Sequence, residues 1–159
     1  VKRAQNRDMD AFVALMEKHK TAFYKVAKSY LKNEEDIADV MQETVLSVYE
    51  HIGDLKSASY FKTWATRILI NHCNDLLRQQ KRYADAEWVV DASSVEPESD
   101  RSFYELLREL PDDYRMIFLL YYGEGFNTRE VAEILELSEN TVKSRLQRGR
   151  KKLKKAICY

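Results

Sequence analysis

The sequence predicts an all-helical protein built as two small domains joined by an acidic linker. The 159 residues include only four Gly and two Pro, so few residues are present that interrupt helices. Apolar side chains recur every three or four positions along most of the chain, which is the spacing of one face of an α-helix. This spacing fades between residues 83 and 100, where acidic side chains gather around Ser93, Ser94 and Pro97. Such a stretch is typical of a flexible linker, and it separates residues 1–82 from residues 101–159.

The N-terminal domain is predicted to hold four helices around one core. The third helix ends at Gly53, and the fourth begins near Tyr60 and finishes in a basic stretch. The apolar stripes of the four helices are Phe12, Leu15 and Met16; Phe23, Val26, Ala27 and Tyr30; Ile37, Met41, Val45, Val48 and Ile52; and Phe61, Trp64, Ile68, Leu69 and Leu76. Phe61 and Trp64 are interpreted as core residues first, because their spacing matches that of Ile68. In the linker, Trp88-Val89-Val90 forms an apolar island that suits docking on a partner.

The C-terminal domain is also predicted to hold four helices, the last two forming a helix-turn-helix. The first carries Phe103 to Leu110, and Pro111 opens the second. Asn127 followed by Glu130 has the form of a capping box, and Ser138 can cap the final helix. The final helix places one apolar stripe toward the core, made of Val142, Leu146, Gly149, Leu153 and Ile157.

The opposite face of that final helix carries polar and cationic side chains. It consists of Lys143, Ser144, Gln147, Arg148 and Lys151. Short polar side chains can bond base edges in the major groove, while Lys and Arg reach guanine or phosphate. The plainer alternative is a basic surface helix that has no partner. Against it, the positive charge occurs together with two capped helices and a polar face. The pattern therefore favours duplex DNA binding.

Charge is segregated along a chain whose net charge is zero. Residues 33–53 contain six carboxylates and no Lys or Arg, whereas residues 141–155 contain eight cations and no acid. This segregation indicates a different partner for each end of the chain. The third helix turns Asp39, Gln42, Glu43, Leu46 and Glu50 away from its core stripe. An exposed face of this kind suits a positively charged helical protein, although this helix taken alone favours an ordinary solvated face.

The sequence argues against several other classes of protein. His72-Cys73-Asn74-Asp75 contains groups used in catalysis, but adjacent helical residues point in different directions and do not face each other. No glycine-rich phosphate loop and no metal-ligand spacing occurs, so we expect neither an enzyme nor a cofactor or metal site. Cys73 and Cys158 have no redox spacing, and no bilayer-spanning or signal segment is visible, which is the pattern of a reduced cytoplasmic protein. A stand-alone helix-turn-helix regulator remains as an alternative, whereas the polar readout face argues against a pure protein-binding adaptor.

Several ordered motifs resemble the sigma-70 family of bacterial transcription initiation factors. The segment 35–43, with its Asp39-x-x-Gln42-Glu43 core, resembles the polymerase-binding segment of these factors. Phe61-x-Thr63-Trp64-x-x-Arg67-Ile68-x-x-Asn71 resembles the segment that melts and reads the −10 promoter element. The motifs at Leu110–Arg115 and Thr141–Arg150 resemble the −35-binding domain. The similarity covers residues 8–155 apart from the linker, and two domains alone are similar to the compact extracytoplasmic-function group.

The resemblance implies a role for each polar surface. It implies that Asp39, Gln42, Glu43, Leu46 and Glu50 bind the clamp helices of the polymerase β′ subunit, and that the β flap is a second polymerase contact. It implies a −10 site in the loop from Asp54 to Tyr60 and the helix that follows. The candidate residues of this site are Lys56, Ser57, Ser59, Tyr60, Lys62, Asn71, Asn74 and Arg78. For the −35 element the set is Arg129, Thr141, Lys143, Ser144, Gln147, Arg148 and Lys151. Control by an anti-sigma factor is a further implication, and no small-molecule substrate is expected.

Overall fold

A computed structural model describes residues 1–84 and 101–157 of the chain, and within these ranges every regular element is a helix. This confirms the predicted all-helical class. The described residues divide into two compact units, one on either side of residues 85–100. The predicted Trp88-Val89-Val90 island and Cys158 lie outside the described residues. The elements, in chain order, are α1 (Lys2–Gln5), α2 (Met9–Tyr30), α3 (Glu34–His51), 3-10 turns at Ile52–Asp54 and Ala58–Tyr60, α4 (Phe61–Ala84), α5 (Arg101–Arg108), α6 (Asp112–Phe118), a π-helical turn at Leu119–Gly123, α7 (Thr128–Leu135) and α8 (Glu139–Ile157).

The prediction of two separate helices over residues 12–32 is wrong. Both apolar stripes belong to the single 22-residue helix α2, which Asp8 caps by accepting a hydrogen bond from the Ala11 amide at 3.1 Å. Residues 17–22 contain no Gly or Pro, so nothing stops a helix from propagating through them. The fourth helix of this unit is instead the short α1, which the apolar spacing did not indicate.

The core of the N-terminal unit lies between α2, α3 and α4. Phe23, Phe61 and Leu69 are each at most 2% exposed. Burying a large apolar side chain contributes roughly 1.5–3 kcal/mol, so these residues supply much of the stability of the unit. On α3 the fully buried stripe includes Val40 and Thr44, while the predicted Met41 and Val45 are only half-buried. The shift of the stripe still leaves the predicted acidic face in solvent.

The C-terminal unit is tied together at the junction between α5 and α6. Arg115 donates hydrogen bonds from Nε to the Leu107 carbonyl and from Nη2 to the Leu110 carbonyl, both at 3.1 Å. The Leu107 carbonyl, which also accepts from the Leu110 amide at 3.1 Å, lies in the last turn of α5, and the Leu110 carbonyl lies just beyond that helix. Carbonyls at a helix end need donors from outside the helix, and Arg115 supplies them. The core of this unit then gathers on Ile117, Leu120 and Ile134, each at most 1% exposed.

The α6 helix ends in a π-helical turn. The Glu124 amide donates to the Leu119 carbonyl and the Phe126 amide to the Leu120 carbonyl, each at 3.0 Å. Gly125 follows the widened turn, and its φ of +75° is a left-handed conformation that glycine adopts without steric cost. The chain can therefore reverse sharply into α7.

Candidate nucleic-acid and protein interfaces

The acidic face of α3 (Asp39, Gln42, Glu43, Leu46 and Glu50) is exposed at every position. The helix begins at the Asn33 cap, whose side chain accepts a hydrogen bond from the Asp36 amide at 3.0 Å. Glu34 and Glu35 then occupy the first turn, where carboxylates interact favourably with the helix dipole. Leu46 is 58% exposed although it is a large apolar side chain. An exposed Leu among carboxylates gives this face both an apolar and an electrostatic means of binding a protein.

Helix α4 contributes to the same surface, which the sequence did not predict. His72 places Nδ1 3.4 Å from a Glu43 carboxylate oxygen and Nε2 2.9 Å from the Ser47 hydroxyl. Between α3 and α4 lies a cleft of about 450 Å³, lined by Asp39, Val40, Gln42, Glu43, His72, Asp75, Leu76 and Gln79. Residues 43 and 72 are far apart in sequence, so no local spacing could have indicated this pairing.

The predicted −10 residues occupy two parts of the N-terminal unit. Lys56, Ser57 and Ser59 are exposed in the loop before α4, where the two serine hydroxyls lie 2.9 Å apart. Tyr60 and Lys62 are half-buried at the loop's end.

Farther along α4, Asn71 and Arg78 are exposed and Asn74 is half-buried. Residues 62 and 71 are separated by about 13 Å along the helix axis, at 1.5 Å per residue. The structure thus arranges the predicted −10 set along the length of α4 and not in one tight pocket.

Two further contacts in this region involve Arg78 and Trp64. Arg78 forms an ion pair with Asp75 at 3.1 Å, so part of its charge is already balanced. Phe61 is buried at 2% exposure, as predicted for a core residue, whereas Trp64 is only half-buried. The Trp64 ring lies 6.1 Å from the Phe61 ring and covers the core from outside.

The C-terminal unit contains the predicted helix-turn-helix. Asn127 and Glu130 form the full capping box, because the Asn127 side chain accepts from the Glu130 amide at 2.8 Å and the Glu130 carboxylate accepts from the Asn127 amide at 2.9 Å. Helix α7 ends at Glu136, whose φ of 56° is left-handed. Ser138 then caps α8 by accepting from the Thr141 amide at 3.1 Å. Local hydrogen bonding of this kind can be read from neighbouring residues, and the caps were predicted correctly.

The predicted readout face of α8 (Lys143, Ser144, Gln147, Arg148 and Lys151) is exposed at every position. Val142 and Leu146 on the other side are each at most 2% exposed. The remaining members of the −35 set flank the face: Thr141 is half-buried at the start of α8, and Arg129 is exposed on α7. The helix therefore presents its polar side outward as the sequence predicted.

Lys143 has an acidic partner within the unit. Its ammonium lies 3.2 Å from a carboxylate oxygen of Glu139, and the Thr128 hydroxyl donates to the same oxygen at 3.0 Å. The hydrogen bond from Thr128 and the charge of Lys143 lower the pKa of Glu139 below its ordinary value. Glu139 thus links the first residues of α7 and α8 and holds Lys143 in place.

Arg150 belongs to the basic run but not to the readout face. Its Nε donates to the Tyr122 hydroxyl at 2.6 Å, and its guanidinium lies 5.7 Å from the centre of the Tyr122 ring. Beside this pair runs an apolar groove of about 360 Å³, lined by Phe103, Leu106, Leu107, Phe118, Tyr122, Arg150, Leu153 and Lys154. The eight cations of residues 141–155 therefore serve more than one surface.

Within residues 1–84 and 101–157, no group of three or more His, Cys, Asp or Glu side chains is placed to hold a metal ion. In the same ranges, no helix is long and apolar enough to cross a membrane.

Together these features define a class: a helical protein of two compact units, one with an exposed acidic face and the other ending in a helix-turn-helix with a basic exposed face. Residues 15–83 match the family described as Sigma-70 region 2, and residues 100–153 match Sigma-70, region 4. The RNA polymerase sigma factor SigV of Bacillus subtilis (strain 168) is 35% identical over 137 residues, covering 84% of this chain and 82% of SigV. The chain belongs to the sigma-70 family and to its extracytoplasmic-function group.

Two further comparisons extend over nearly the whole chain. The ECF RNA polymerase sigma factor SigW of the same Bacillus subtilis strain is 29% identical, covering 99% of this chain and 94% of SigW. The solved structure of CnrH in complex with the cytosolic domain of CnrY has a TM-score of 0.71 at 25% identity, covering 98% of this chain and 93% of CnrH. The family and its two matched regions agree with the resemblance found from the motifs.

Proposed function

We propose that this sigma factor binds core RNA polymerase through the acidic face of α3 and recognises promoters through α4 and α8. The observation that carries the proposal is the exposure of two oppositely charged faces in different units. Each face is exposed while other positions of the same helix are buried, so each can be covered by a partner without unfolding the chain.

The acidic face fits the clamp helices of the polymerase β′ subunit. Exposed carboxylates at Asp39 and Glu43 steer a basic helix toward α3, and Leu46 supplies the apolar centre that a stable interface needs. His72 on α4 places its Nδ1 atom 3.4 Å from a carboxylate oxygen of Glu43 and so restricts the movement of that carboxylate. A carboxylate held in place loses less conformational entropy on binding than a free one.

The loop from Asp54 to Tyr60 and the exposed side of α4 are proposed to bind the −10 element. Reading a base in an opened strand needs polar groups for the base edge and cations for the phosphates. Ser57 and Ser59 supply hydroxyls beside Lys56, and Asn71 supplies an amide farther along the helix. Because these groups are spread along α4, we propose that the opened strand runs along the helix and meets the loop at one end.

Helix α8 is proposed to enter the major groove of the −35 element. Ser144 and Gln147 would contact base edges, and Arg148 would contact guanine or phosphate. Lys143 would exchange its Glu139 partner for a phosphate, since a phosphate offers a stronger charge-assisted hydrogen bond. The Arg129 side chain and the Thr141 hydroxyl would hold the flanking backbone.

Two partners complete the proposal. The apolar groove beside Tyr122 is the surface that we assign to the polymerase β flap, because it is an apolar recess of this unit away from the readout face. An anti-sigma factor is proposed as the inhibitor that covers these faces, in line with the resemblance stated above. CnrH, which shares the fold, was solved with a second protein bound. The protein would act in the cytoplasm with polymerase, without catalysis and without a cofactor.

The decisive experiment is run-off transcription on a genomic promoter library by core polymerase, with and without this protein. Discrete new transcripts that share two upstream elements are expected. A zero net charge and one reading helix predict weak binding of the free protein to duplex DNA. Tight duplex binding by the protein alone, together with no new transcripts, would instead establish a stand-alone regulator.

A further inference from the structure

The short helix α1 is joined by hydrogen bonds to the start of the proposed −10 loop. The Gln5 side-chain amide donates to the Ile52 carbonyl at 3.0 Å and to the Leu55 carbonyl at 2.7 Å. Gln5 is half-buried, and its partners lie about fifty residues away in the sequence. One side chain thus fixes both ends of the 3-10 turn at Ile52–Asp54.

That turn is the junction between α3 and the loop. Carbonyls at the end of a helix have no partner within the helix and need one from elsewhere. The Ile52 carbonyl receives the Leu55 amide at a long 3.3 Å, so the Gln5 amide is its closer partner. Leu55 directly follows this turn within the loop, and it is buried at 8% exposure.

A second residue holds α1 against the end of α3. Arg7 adopts a left-handed φ of 63° and donates to the Tyr49 carbonyl at 3.2 Å. Its guanidinium also lies 4.9 Å from the centre of the Tyr49 ring. On its other side, α1 is tied to the start of α2 by the Arg3–Asp8 ion pair at 2.7 Å. The ion pair therefore closes the segment from Arg3 to Asp8, Arg7 ties that segment to α3, and Gln5 lies in the middle of it.

We infer that Gln5 is a positioning residue for the proposed −10 loop, which it orders by holding the Ile52–Asp54 turn. The inference rests on the proposed function, since it takes that loop to be the element that contacts the opened strand. Without the Gln5 donors, two part-buried carbonyls lose their side-chain partner and the loop samples more conformations. Strand capture then becomes less favourable, because the loop has to be ordered at the moment of binding.

The test compares Gln5→Glu, which keeps the shape but removes both N–H donors, with Gln5→Ala. Lys2→Gln is the matched control: it lies on the same helix, is exposed, and makes the same change of charge as Gln5→Glu. Amide hydrogen exchange is measured over residues 53–60 and, as a check on folding, over α2. Core polymerase affinity and promoter opening by the reconstituted holoenzyme are measured in parallel.

For both Gln5 variants we expect faster exchange over residues 53–60, with α2 exchange and core affinity unchanged. Opening should fall by about fivefold to tenfold, the equivalent of one to two net hydrogen bonds, while Lys2→Gln behaves as the original protein. Unchanged loop exchange would overturn the positioning role itself. Faster loop exchange with unchanged opening would show that Gln5 orders the loop but that the loop does not read the −10 element, which overturns the site assignment instead. Reduced core affinity in both Gln5 variants would place α1 at the polymerase interface and would also overturn the inference.

Discussion

Gly149 of α8 packs directly on the ring of Phe118 in α6: a Cβ added at Gly149 would lie 2.6 Å from Phe118 Cζ. Real Cβ atoms essentially never come this close to another heavy atom, and Phe118 is only 2% exposed, so its ring has little room to move. Helix α8 can therefore pack this closely on α6 only because residue 149 has no side chain.

Gly149→Ala should destabilise the C-terminal unit by about 1–2 kcal/mol. Overpacking a core costs typically 1–3 kcal/mol, and the better helix propensity of Ala, up to about 1 kcal/mol, offsets part of it. Urea denaturation followed by hydrogen exchange over α8 measures the change. Adding Phe118→Leu should recover part of the loss by making room; a double variant less stable than either single variant would contradict this explanation.

Lys143→Ala and Arg148→Ala should each weaken binding of the holoenzyme to the −35 element and leave its assembly with core polymerase intact. A lost base contact costs about 1–3 kcal/mol of discrimination. Binding to promoter duplexes with intact and scrambled −35 elements measures the effect, with Lys18→Ala as a control of equal charge on exposed α2 surface. Loss of polymerase binding in either α8 variant would remove this face from the proposed −35 site.

The double variant Asp39→Ala with Gln42→Ala should lose core polymerase affinity while keeping its fold. Both residues are exposed on α3, so little packing is removed with them. Affinity is measured by fluorescence anisotropy of labelled protein with core enzyme, and the helical content by circular dichroism. Glu17→Ala, an exposed acid on α2, is the control. Affinity equal to that of the original protein would exclude the acidic face as the clamp-binding surface.

Glu139→Gln should strengthen −35 binding by up to about fivefold, which is the range of an exposed ion pair. The substitution removes a carboxylate beside the proposed DNA-binding face and removes the acidic partner of Lys143. Since the folded state lowers the pKa of Glu139, its stabilising contribution is present above the ordinary value of about 4.5 and is lost as pH falls through the lowered one. The variant should therefore show less loss of stability on acidification; an identical pH profile would count against the Thr128–Glu139–Lys143 arrangement.

Cys73 should resist thiol reagents in the folded protein. Burial raises the pKa of the Cys73 thiol to about 12, so almost no thiolate is present at pH 8, and the sulfur is inaccessible at 0% exposure. In a Cys158→Ser background, labelling by iodoacetamide should be slow in buffer and fast in denaturant. Rapid labelling of the native protein would mean that the N-terminal core opens readily.

The sequence predicted best those features that depend on near neighbours. The Asn127–Glu130 capping box and the buried positions of Val142 and Leu146 follow from spacings of three and four residues, which helical geometry fixes. Lys143 with Glu139 has the same spacing, so this ion pair was predictable although we did not predict it.

The features that sequence reasoning missed depend on tertiary packing. The contacts of His72 with Glu43, Arg150 with Tyr122 and Gln5 with Leu55 form only because segments distant in the sequence pack together. The length of α2 was missed for a different reason: two apolar stripes were taken as two helices, although no residue between them ends one. Helix α1 is too short for apolar periodicity to be detected at all.

The exposed side of α8 has a consequence for engineering. The residues proposed to contact bases are distinct from those that hold the helix-turn-helix together, with Ser144 and Gln147 outside and Val142, Leu146 and Gly149 inside. Substitutions at the two outer positions can therefore be combined freely without repacking the interior. Libraries confined to Ser144 and Gln147 would yield variants that respond to different promoters in one cell, each carried by the same scaffold.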